Sequence, residues 1–147
     1  MKNKFFYPLS VKTEHIDALK HVNNEIYIKW LMEAAGAHSS SLGYSIEKYL
    51  SDGACFVVRR HEVDYLAPAF LGEELVVETW VENMQKAKST RVYNIRRLVD
   101  QKILIHAKTL WVYVDLITGR PTEISTEIIN AFSDFIHGDN HDDLKKS

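Results

Sequence analysis

The sequence predicts an α+β protein, and the prediction depends on a change of periodicity along the chain. Between residues 26 and 35, apolar side chains recur with the spacing of one helix face. These side chains are Ile26, Tyr27, Trp30, Leu31, Ala34 and Ala35. Between residues 55 and 115 the period becomes two, and short alternating segments are separated by turns. A helix followed by a run of strands favours an antiparallel sheet packed on that helix, because parallel strands need crossover helices between them.

Length and composition are those of one ordinary globular domain. The chain has 147 residues, 46% hydrophobic and 26% charged, which is enough to bury a core without disulfides. A net charge of −2 gives no basic field for nucleic acid, and a single cysteine, Cys55, excludes an internal disulfide. We see no signal peptide and no membrane-spanning segment, so we expect a cytoplasmic protein without a membrane partner. We expect one domain at residues 1–136 and a polar tail at 137–147.

The first predicted elements are a strand and the long helix. Phe5–Thr13 is typical of a strand, and Pro8 indicates that this strand lies at a sheet edge. The long helix is expected from about Asn24 to Ser41, with Asn23 or Asn24 as its N-cap. A second, short helix is expected at Ser45–Leu50, where the serine can cap the first turn.

Four further strands and a closing helix complete the predicted domain. The strands are Cys55–Leu66, Glu74–Met84, Ser89–Val99 and Lys102–Asp115. The last of them is the most apolar, as expected for a central strand of a sheet. On the first of them, strict alternation places five residues on one face. These are Val57, Arg59, His61, Val63 and Tyr65. A helix or helical turn is expected at Thr122–Ile136.

The loop before the long helix carries the candidate catalytic residues. Asp17 lies seven residues before Asn24, and His21 and Asn23 lie between them. The free N–H groups and positive dipole end at a helix start can stabilise the negative charge that develops on a carbonyl oxygen. A carboxylate beside such a helix start therefore predicts chemistry at a carbonyl group. The same residue types are common in turns and caps, so a purely structural role stays open.

Other kinds of site have little support in the sequence. His15 and His21 flank Asp17, but no HExxH motif, cysteine pair or second carboxylate stands at ligand spacing, so no metal is expected. The sequence has no glycine-rich phosphate loop and no GxSxG motif of a serine hydrolase. Cys55 lies in an apolar run and is expected to be a buried thiol and not a nucleophile.

Three segments of the chain together resemble a known enzyme family. The first is Asp17 followed by HVNN at 21–24 and by Tyr27. The second, residues 57–79, includes a Tyr-x-x-Pro-Ala turn, and the third is residues 108–125. In this order they resemble the loop-to-helix signature, the middle strands and the last strand of the 4-hydroxybenzoyl-CoA thioesterase type of hotdog-fold acyl-CoA thioesterase. The resemblance covers roughly residues 5–135.

The resemblance implies a hotdog fold, in which a five-stranded antiparallel β-sheet wraps a long central helix. It also implies an acyl-CoA thioesterase with no cofactor apart from the coenzyme A of its substrate. Asp17 would be the nucleophile or the general base. The backbone N–H of Asn24 would bind the thioester oxygen, and His21 and Asn23 would support the site.

Substrate contacts are expected from Tyr27, Arg59 and His61. The last two share an apolar strand face in the predicted alternation, so they need polar partners wherever that face is covered. The family implies homodimers or homotetramers with active sites between subunits. Other basic residues on the strands, Arg91 among them, could hold coenzyme A phosphates, although solvated sheet surface is the better interpretation of any single one.

Leu19 departs from one branch of the family. The plant-type acyl-carrier-protein thioesterases have a similar loop with Asn at that position, so their Asp-Asn-His set cannot be carried over whole. His21 is then either an orienting group or a turn residue. An acyl-carrier-protein thioesterase and a non-catalytic acyl-CoA-binding protein stay open as alternatives, and a binding protein would not need Asp17. A hotdog dehydratase is disfavoured, because no D-x-N-P-x-H segment occurs.

Overall fold

The structure, a computed structural model, describes residues 2–138 and contains an antiparallel sheet of five strands. The strands are β1 (Phe5–Ser10), β2 (Ala54–Tyr65), β3 (Glu74–Gln85), β4 (Lys88–Arg97) and β5 (Ile103–Asp115). Their order across the sheet is β1-β3-β4-β5-β2, so β1 and β2 form the two edges. The α+β class and the edge position of β1 are confirmed. The prediction of β5 as a central strand is confirmed, since β5 pairs with β4 on one side and with β2 on the other.

Helix α1 spans Asn24–Ser41, the 18 residues that the apolar spacing predicts. Asn23 is its N-cap, and the side chain of this residue accepts a hydrogen bond from the N–H of Glu25 at 2.9 Å. Gly43 follows the helix with a φ of 94°, a left-handed conformation that favours glycine. One stripe of α1 is buried. It consists of Tyr27, Trp30, Leu31, Ala34, Ala35 and His38.

The main core lies between this stripe and one face of the sheet, here called the inner face. Strand β3 alternates as predicted, and the side chains that it turns inward are at most 1% exposed. They are Leu75, Val77, Thr79 and Val81. Their neighbours across β4 and β5 are Arg91, Tyr93, Ile95, Ile105, Ala107 and Thr109. Each fully buried Leu or Ile contributes about 1.5–3 kcal/mol to folding, so this layer fixes α1 on the sheet.

A second apolar cluster closes the end of the domain beside the C-terminus of α1. Helices α2 (Ile46–Asp52) and α3 (Thr126–Phe132) contribute to it. Each of these helices begins after a serine that caps its first turn. The cluster contains Tyr44, Tyr49, Ala54, Val81, Tyr113, Ile124, Ile128 and Phe132.

A β-bulge overturns the predicted face of β2. The pairing of β2 with β5 shifts register between Val58 and Arg60, so that Arg59 is an extra residue on its strand. Val57 therefore faces away from α1, whereas His61 faces inward. The prediction that Val57 and His61 share a face is wrong, because strict alternation does not allow for an inserted residue.

Several predicted boundaries differ from the structure, and three of the differences have a clear local cause. Strand β1 stops at Ser10, because Thr13–His15 forms a turn of 3-10 helix. Residues 51–52 belong to α2, which ends at Gly53 with a φ of 85°. Helix α3 begins directly after Ser125, four residues later than predicted, because this serine caps the N–H of Ile128.

The predicted polar tail, residues 137–147, lies outside the described residues except for His137 and Gly138. The backbone N–H of His137 donates to the carbonyl of Val81 at 2.7 Å. Its ring stacks on Trp80 with a centroid distance of 5.1 Å. This residue therefore packs on the sheet.

Candidate active site

The loop that carries Asp17 is folded into a tight turn. Ile16 and Val22 form an isolated antiparallel bridge, and the N–H of Asp17 donates to the carbonyl of His21 at 3.0 Å. The Asp17 carboxylate accepts a hydrogen bond from the N–H of Leu19 at 2.8 Å. The backbone therefore holds a half-buried carboxylate at the base of the turn, directly before α1.

The first turn of α1 presents a free hydrogen-bond donor. The N–H groups of Glu25 and Ile26 are bound by the side chain and the carbonyl of Asn23, respectively. Within residues 2–138, the N–H of Asn24 has no acceptor. The aligned peptide dipoles add positive potential at the same place, so a developing oxyanion would be stabilised there.

A second segment of the chain, the loop at 67–70, is bonded to this site. The N–H of Val22 donates to the carbonyl of Ala69 at 3.0 Å, and the N–H of Ala69 donates to the Tyr27 hydroxyl at 2.9 Å. The rings of His21 and Phe70 meet edge to face at 6.5 Å. The structure thus brings together two segments that the sequence analysis singled out separately.

Tyr27 is 2% exposed and serves as the anchor between these segments. Its ring packs edge to face on Trp30 and Tyr65, with centroid distances of 5.6 and 5.9 Å. Burial raises the pKa of its hydroxyl above the ordinary value, and the N–H of Ala69 opposes this effect. The charges of Glu73 and, more weakly, Asp17 raise the pKa further.

Neither histidine of the loop is bonded to the Asp17 carboxylate. The Nδ1 atom of His21 lies 3.3 Å from the carbonyl of Val22. His15, which the sequence analysis considered only as a metal ligand, accepts a hydrogen bond from the N–H of Lys12 at 2.8 Å. The ring of His15 also packs against Trp30. These contacts fix the shape of the loop.

Arg59 and His61 lie in different environments. Arg59, the bulge residue, is exposed. His61 is half-buried on the inner face, where its Nδ1 lies 2.9 Å from the hydroxyl of Thr109. Burial lowers the pKa of His61. Within residues 2–138, neither residue is bonded to the loop of Asp17.

A cavity of about 410 Å³ lies at the other end of α1, between this helix, α2 and the sheet. Sequence reasoning missed it, together with its most unusual lining residue. Arg91, interpreted as solvated surface, is 5% exposed and lines the cavity. Its Nη1 lies 2.9 Å from Nδ1 of His38 and 3.1 Å from the Thr79 hydroxyl. The alternation of β4 could have found it, since it places Arg91 on the face of Tyr93 and Ile95.

Comparison with known proteins gives the family. Residues 2–132 match the family described as the acyl-ACP thioesterase N-terminal domain. The chain belongs to the acyl-ACP thioesterase family. One relative is an acyl-CoA thioester hydrolase of Escherichia coli, which is 27% identical to this chain over 130 residues. The match covers 87% of this chain and 95% of the relative.

A chloroplastic acyl-acyl carrier protein thioesterase of Arabidopsis thaliana is 23% identical over 131 residues, which are 89% of this chain and 68% of that protein. The crystal structure of a 1,4-dihydroxy-2-naphthoyl-CoA thioesterase from Synechocystis superposes with a TM-score of 0.83 and 21% identity. The match covers 90% of this chain and 97% of that structure. This family member therefore has a hotdog-type fold and is a thioester hydrolase, as the resemblance implies.

Two kinds of feature are absent from the described residues. No helix within residues 2–138 is long and apolar enough to cross a bilayer. Within these residues, no group of three or more His, Cys, Asp or Glu side chains could hold a metal ion.

Proposed function

We infer that the protein hydrolyses acyl-CoA thioesters to a free carboxylic acid and coenzyme A. The observation that carries this inference is that one short segment holds both a half-buried carboxylate, Asp17, and a free N–H, that of Asn24 at the start of α1. Acyl transfer needs these two components, a group that attacks or activates water and a donor for the oxyanion. Relatives named for coenzyme A thioesters support the same choice of substrate.

In the first form of the reaction, Asp17 is the nucleophile. Its carboxylate attacks the thioester carbon, the tetrahedral oxyanion collapses, and the thiolate of coenzyme A leaves. The product is a mixed anhydride between Asp17 and the acyl group. Water then attacks the anhydride, which releases the acid and restores the carboxylate.

In the second form, Asp17 is the general base, takes a proton from water, and the resulting hydroxide attacks the thioester. Both forms pass through an oxyanion that accepts a hydrogen bond from the N–H of Asn24. Loss of one such donor costs about 3 kcal/mol in other acyl-transfer enzymes. Because a thiolate is a good leaving group, neither form needs a strong general acid.

The site includes a second copy of the chain in our proposal. Strand β2 is a 12-residue edge, and one side of it is unpaired within residues 2–138. Val58 and Tyr65 on its inner face are 40% and 47% exposed. A second β2 paired with this edge would join the two sheets and cover the groove beside α1. His61 and Arg59 would then contribute to a site between subunits. The full hotdog arrangement, with the sheet wrapping α1 as a long central helix, belongs to this dimer or to a tetramer of such dimers.

The acyl carrier protein is the alternative carrier of the acyl group. The matched family and the Arabidopsis relative are named for that carrier. Against it, Leu19 stands where the plant-type branch has Asn, and its side chain is 72% exposed. We propose further that the enzyme works in the cytoplasm and uses no cofactor other than the coenzyme A of its substrate.

The test is the release of free thiol from short, long and aromatic acyl-CoAs and from the corresponding acyl-carrier-protein thioesters. We expect release by the wild type from coenzyme A thioesters, and a turnover rate that is about a hundredfold lower, or lower still, in Asp17→Ala and Asp17→Asn. Asp134→Asn, a change of an exposed carboxylate, is the matched control and should keep its activity. Release only from carrier-protein thioesters would select the alternative. Undiminished release by both Asp17 variants would exclude Asp17 from catalysis.

A further inference from the structure

The cavity at the C-terminal half of α1 has the size and lining of a ligand pocket. Its volume of about 410 Å³ lies within the range of small-molecule sites. Most of its walls are apolar or aromatic. The principal ones are Met32, Ala35, Tyr49, Phe56, Trp111 and Phe132. An apolar pocket selects its ligand through its polar groups. Besides several serines, these include two charged residues, the exposed Glu47 and the buried Arg91.

Arg91 is a buried cation without a carboxylate. The whole residue is 5% exposed, and no salt bridge to it occurs within residues 2–138. Its surroundings are neutral: the ring of His38, the Thr79 hydroxyl and the face of Phe132, whose centroid lies 5.9 Å from Cζ. A guanidinium stays protonated in proteins, and an unpaired buried charge is costly. This energetic cost is relieved when an anion or a strong hydrogen-bond acceptor binds.

Some hydrogen-bond donors of the Arg91 guanidinium have no partner within residues 2–138. Both of its hydrogen bonds use Nη1, and within the described residues Nε and Nη2 have no acceptor. Since Arg91 lines the cavity, these are the donors that a ligand in the cavity would contact. A guanidinium presents its N–H groups in a fork that matches two oxygens of a carboxylate.

Gly36 is a second, independent sign that space is kept free at this place. It lies in the interior of α1, where glycine is about 1 kcal/mol less favourable than alanine. A Cβ added to it would meet nothing within 4 Å, so contacts within the chain do not require glycine here. Gly36 lines the cavity, so the missing side chain leaves room for a molecule that is not part of the chain.

The position of the cavity fits the far end of a long acyl chain. His38, which is bonded to Arg91, lies 14 residues after Asn24, or roughly 20 Å along α1. The half-buried inner face of β2, with Val63 and His61, runs between the two places. An extended carbon chain advances about 3.5 Å for every three bonds, so it would cross this distance in about 17 bonds.

We propose that the cavity binds the distal end of a long-chain acyl group that carries an oxygen function there, a carboxylate or a hydroxyl, and that Arg91 recognises this function. The proposal rests on the proposed function, because it takes the reacting carbonyl to lie at the start of α1. It names the substrate class as ω-oxygenated acyl thioesters of about 16 carbons. Arg91 is then a specificity-determining residue.

Matched substrates test the proposal: hexadecanoyl-CoA, 16-hydroxyhexadecanoyl-CoA and the mono-CoA thioester of hexadecanedioic acid. We expect the wild type to have a kcat/KM at least tenfold higher for the carboxylate-ended substrate than for hexadecanoyl-CoA. This ratio should fall at least tenfold in Arg91→Met and in Arg91→Gln. Arg96→Met, on the same strand but bonded to Glu78 on the other face of the sheet, should keep the wild-type ratio.

A binding measurement separates this proposal from the proposed function. Titration calorimetry with free hexadecanedioate and hexadecanoate needs no turnover and can use the wild type and Asp17→Asn. We expect the dianion to bind at least tenfold more tightly than the monoanion, and this difference to disappear in Arg91→Gln.

Hydrolysis without preference for an oxygenated end would overturn the proposal and leave the thioesterase reaction intact. Absence of hydrolysis, together with tight, Arg91-dependent binding of the dianion, would overturn the thioesterase reaction and leave the assignment of the cavity intact. Equal binding of the two acids by the wild type would overturn the proposal whatever the variants do, including variants that fail to fold.

Discussion

At the scale of single residues, Tyr27 holds the candidate site together through one buried hydrogen bond. We expect Tyr27→Phe to lower the free energy of unfolding by about 1–3 kcal/mol, because the N–H of Ala69 loses its acceptor in a buried place. The change should also lower kcat, since the loop of Asp17 is bonded to Ala69. Urea unfolding and thiol release measure the two effects. Tyr113→Phe, at a buried tyrosine whose hydroxyl has no hydrogen bond to residues 2–138, should cost clearly less.

His38 should make the stability of the protein depend on pH. Burial, together with the charge of Arg91, lowers the pKa of His38 to about 3 from its ordinary value of 6.5. Between these values the unfolded chain binds a proton that the folded chain does not. The free energy of unfolding therefore falls as the pH is lowered below 6.5, by at most about 1.4 kcal/mol per pH unit.

From pH 7 to pH 4.5, this residue should remove roughly 2–3 kcal/mol of stability. Urea unfolding of the wild type and of His38→Gln at both pH values measures the contribution. The loss on acidification should be smaller in the variant by that amount. An identical loss in both proteins would contradict a neutral, buried His38.

The sequence identified some site residues and missed others for a physical reason. Asp17 and Asn24 belong to a local pattern, a loop followed by a capped helix, and short-range rules are sufficient to find it. Arg91 and His38 meet across a sequence distance of 53 residues. Their burial depends on how α1 packs on β4, which neither segment determines alone. The alternation of β4 places Arg91 on the face of Tyr93 and Ile95, but the charge of its side chain favoured the interpretation as solvated surface.

At the scale of elements, Gly36 makes α1 less stable than a helix with alanine at this position would be. We expect Gly36→Ala to raise the free energy of unfolding by about 0.5–1 kcal/mol, because the backbone there is helical and an added Cβ has open space. Chemical denaturation measures the change. Gly43→Ala is the opposite control and should be destabilising, since its φ of 94° is strained for alanine. A destabilised Gly36→Ala would mean that the helix is more constrained there than its open surroundings indicate.

Strand β2 shows where element prediction reaches its limit. The alternation of β3 was predicted correctly because its side chains keep a strict period of two from Leu75 to Val81. In β2, one inserted residue, Arg59, reverses the faces on either side of it. A bulge is defined by its pairing with the neighbouring strand, so the sequence of β2 by itself does not contain the signal.

At the scale of the whole molecule, the free edge of β2 predicts self-association. Val58 faces inward yet is 40% exposed, next to the unpaired side of the strand. We expect Val58→Asp to shift the protein from dimer or tetramer towards monomer, because a buried unpaired carboxylate opposes the contact. The same variant should lose activity if the site lies between subunits. Light scattering after size-exclusion chromatography measures the mass.

Val99→Asp is the matched control for this experiment. It makes the same change at a turn residue that is 88% exposed. Its mass and activity should equal those of the wild type. A monomeric wild type, or a Val58→Asp variant that keeps its full mass, would place the contact between copies elsewhere.

Helix α1 has a fixed length, and this length would determine which acyl chains fit between the two ends of the helix. Its 18 residues are about 27 Å long, and neither end can move without the other because the buried stripe fixes the rod on the sheet. In the proposed mode of binding, the reacting thioester lies at the start of α1, and Arg91, beside the other end of the helix, holds the oxygenated end of the acyl group. Gly36 and Met32 both line the cavity and lie about one helical turn apart. A larger side chain at either position would shorten the acyl chain that fits, by one turn more at Met32 than at Gly36. Chain-length preference could then change in steps of about 5 Å while the chemistry at the first turn stayed the same.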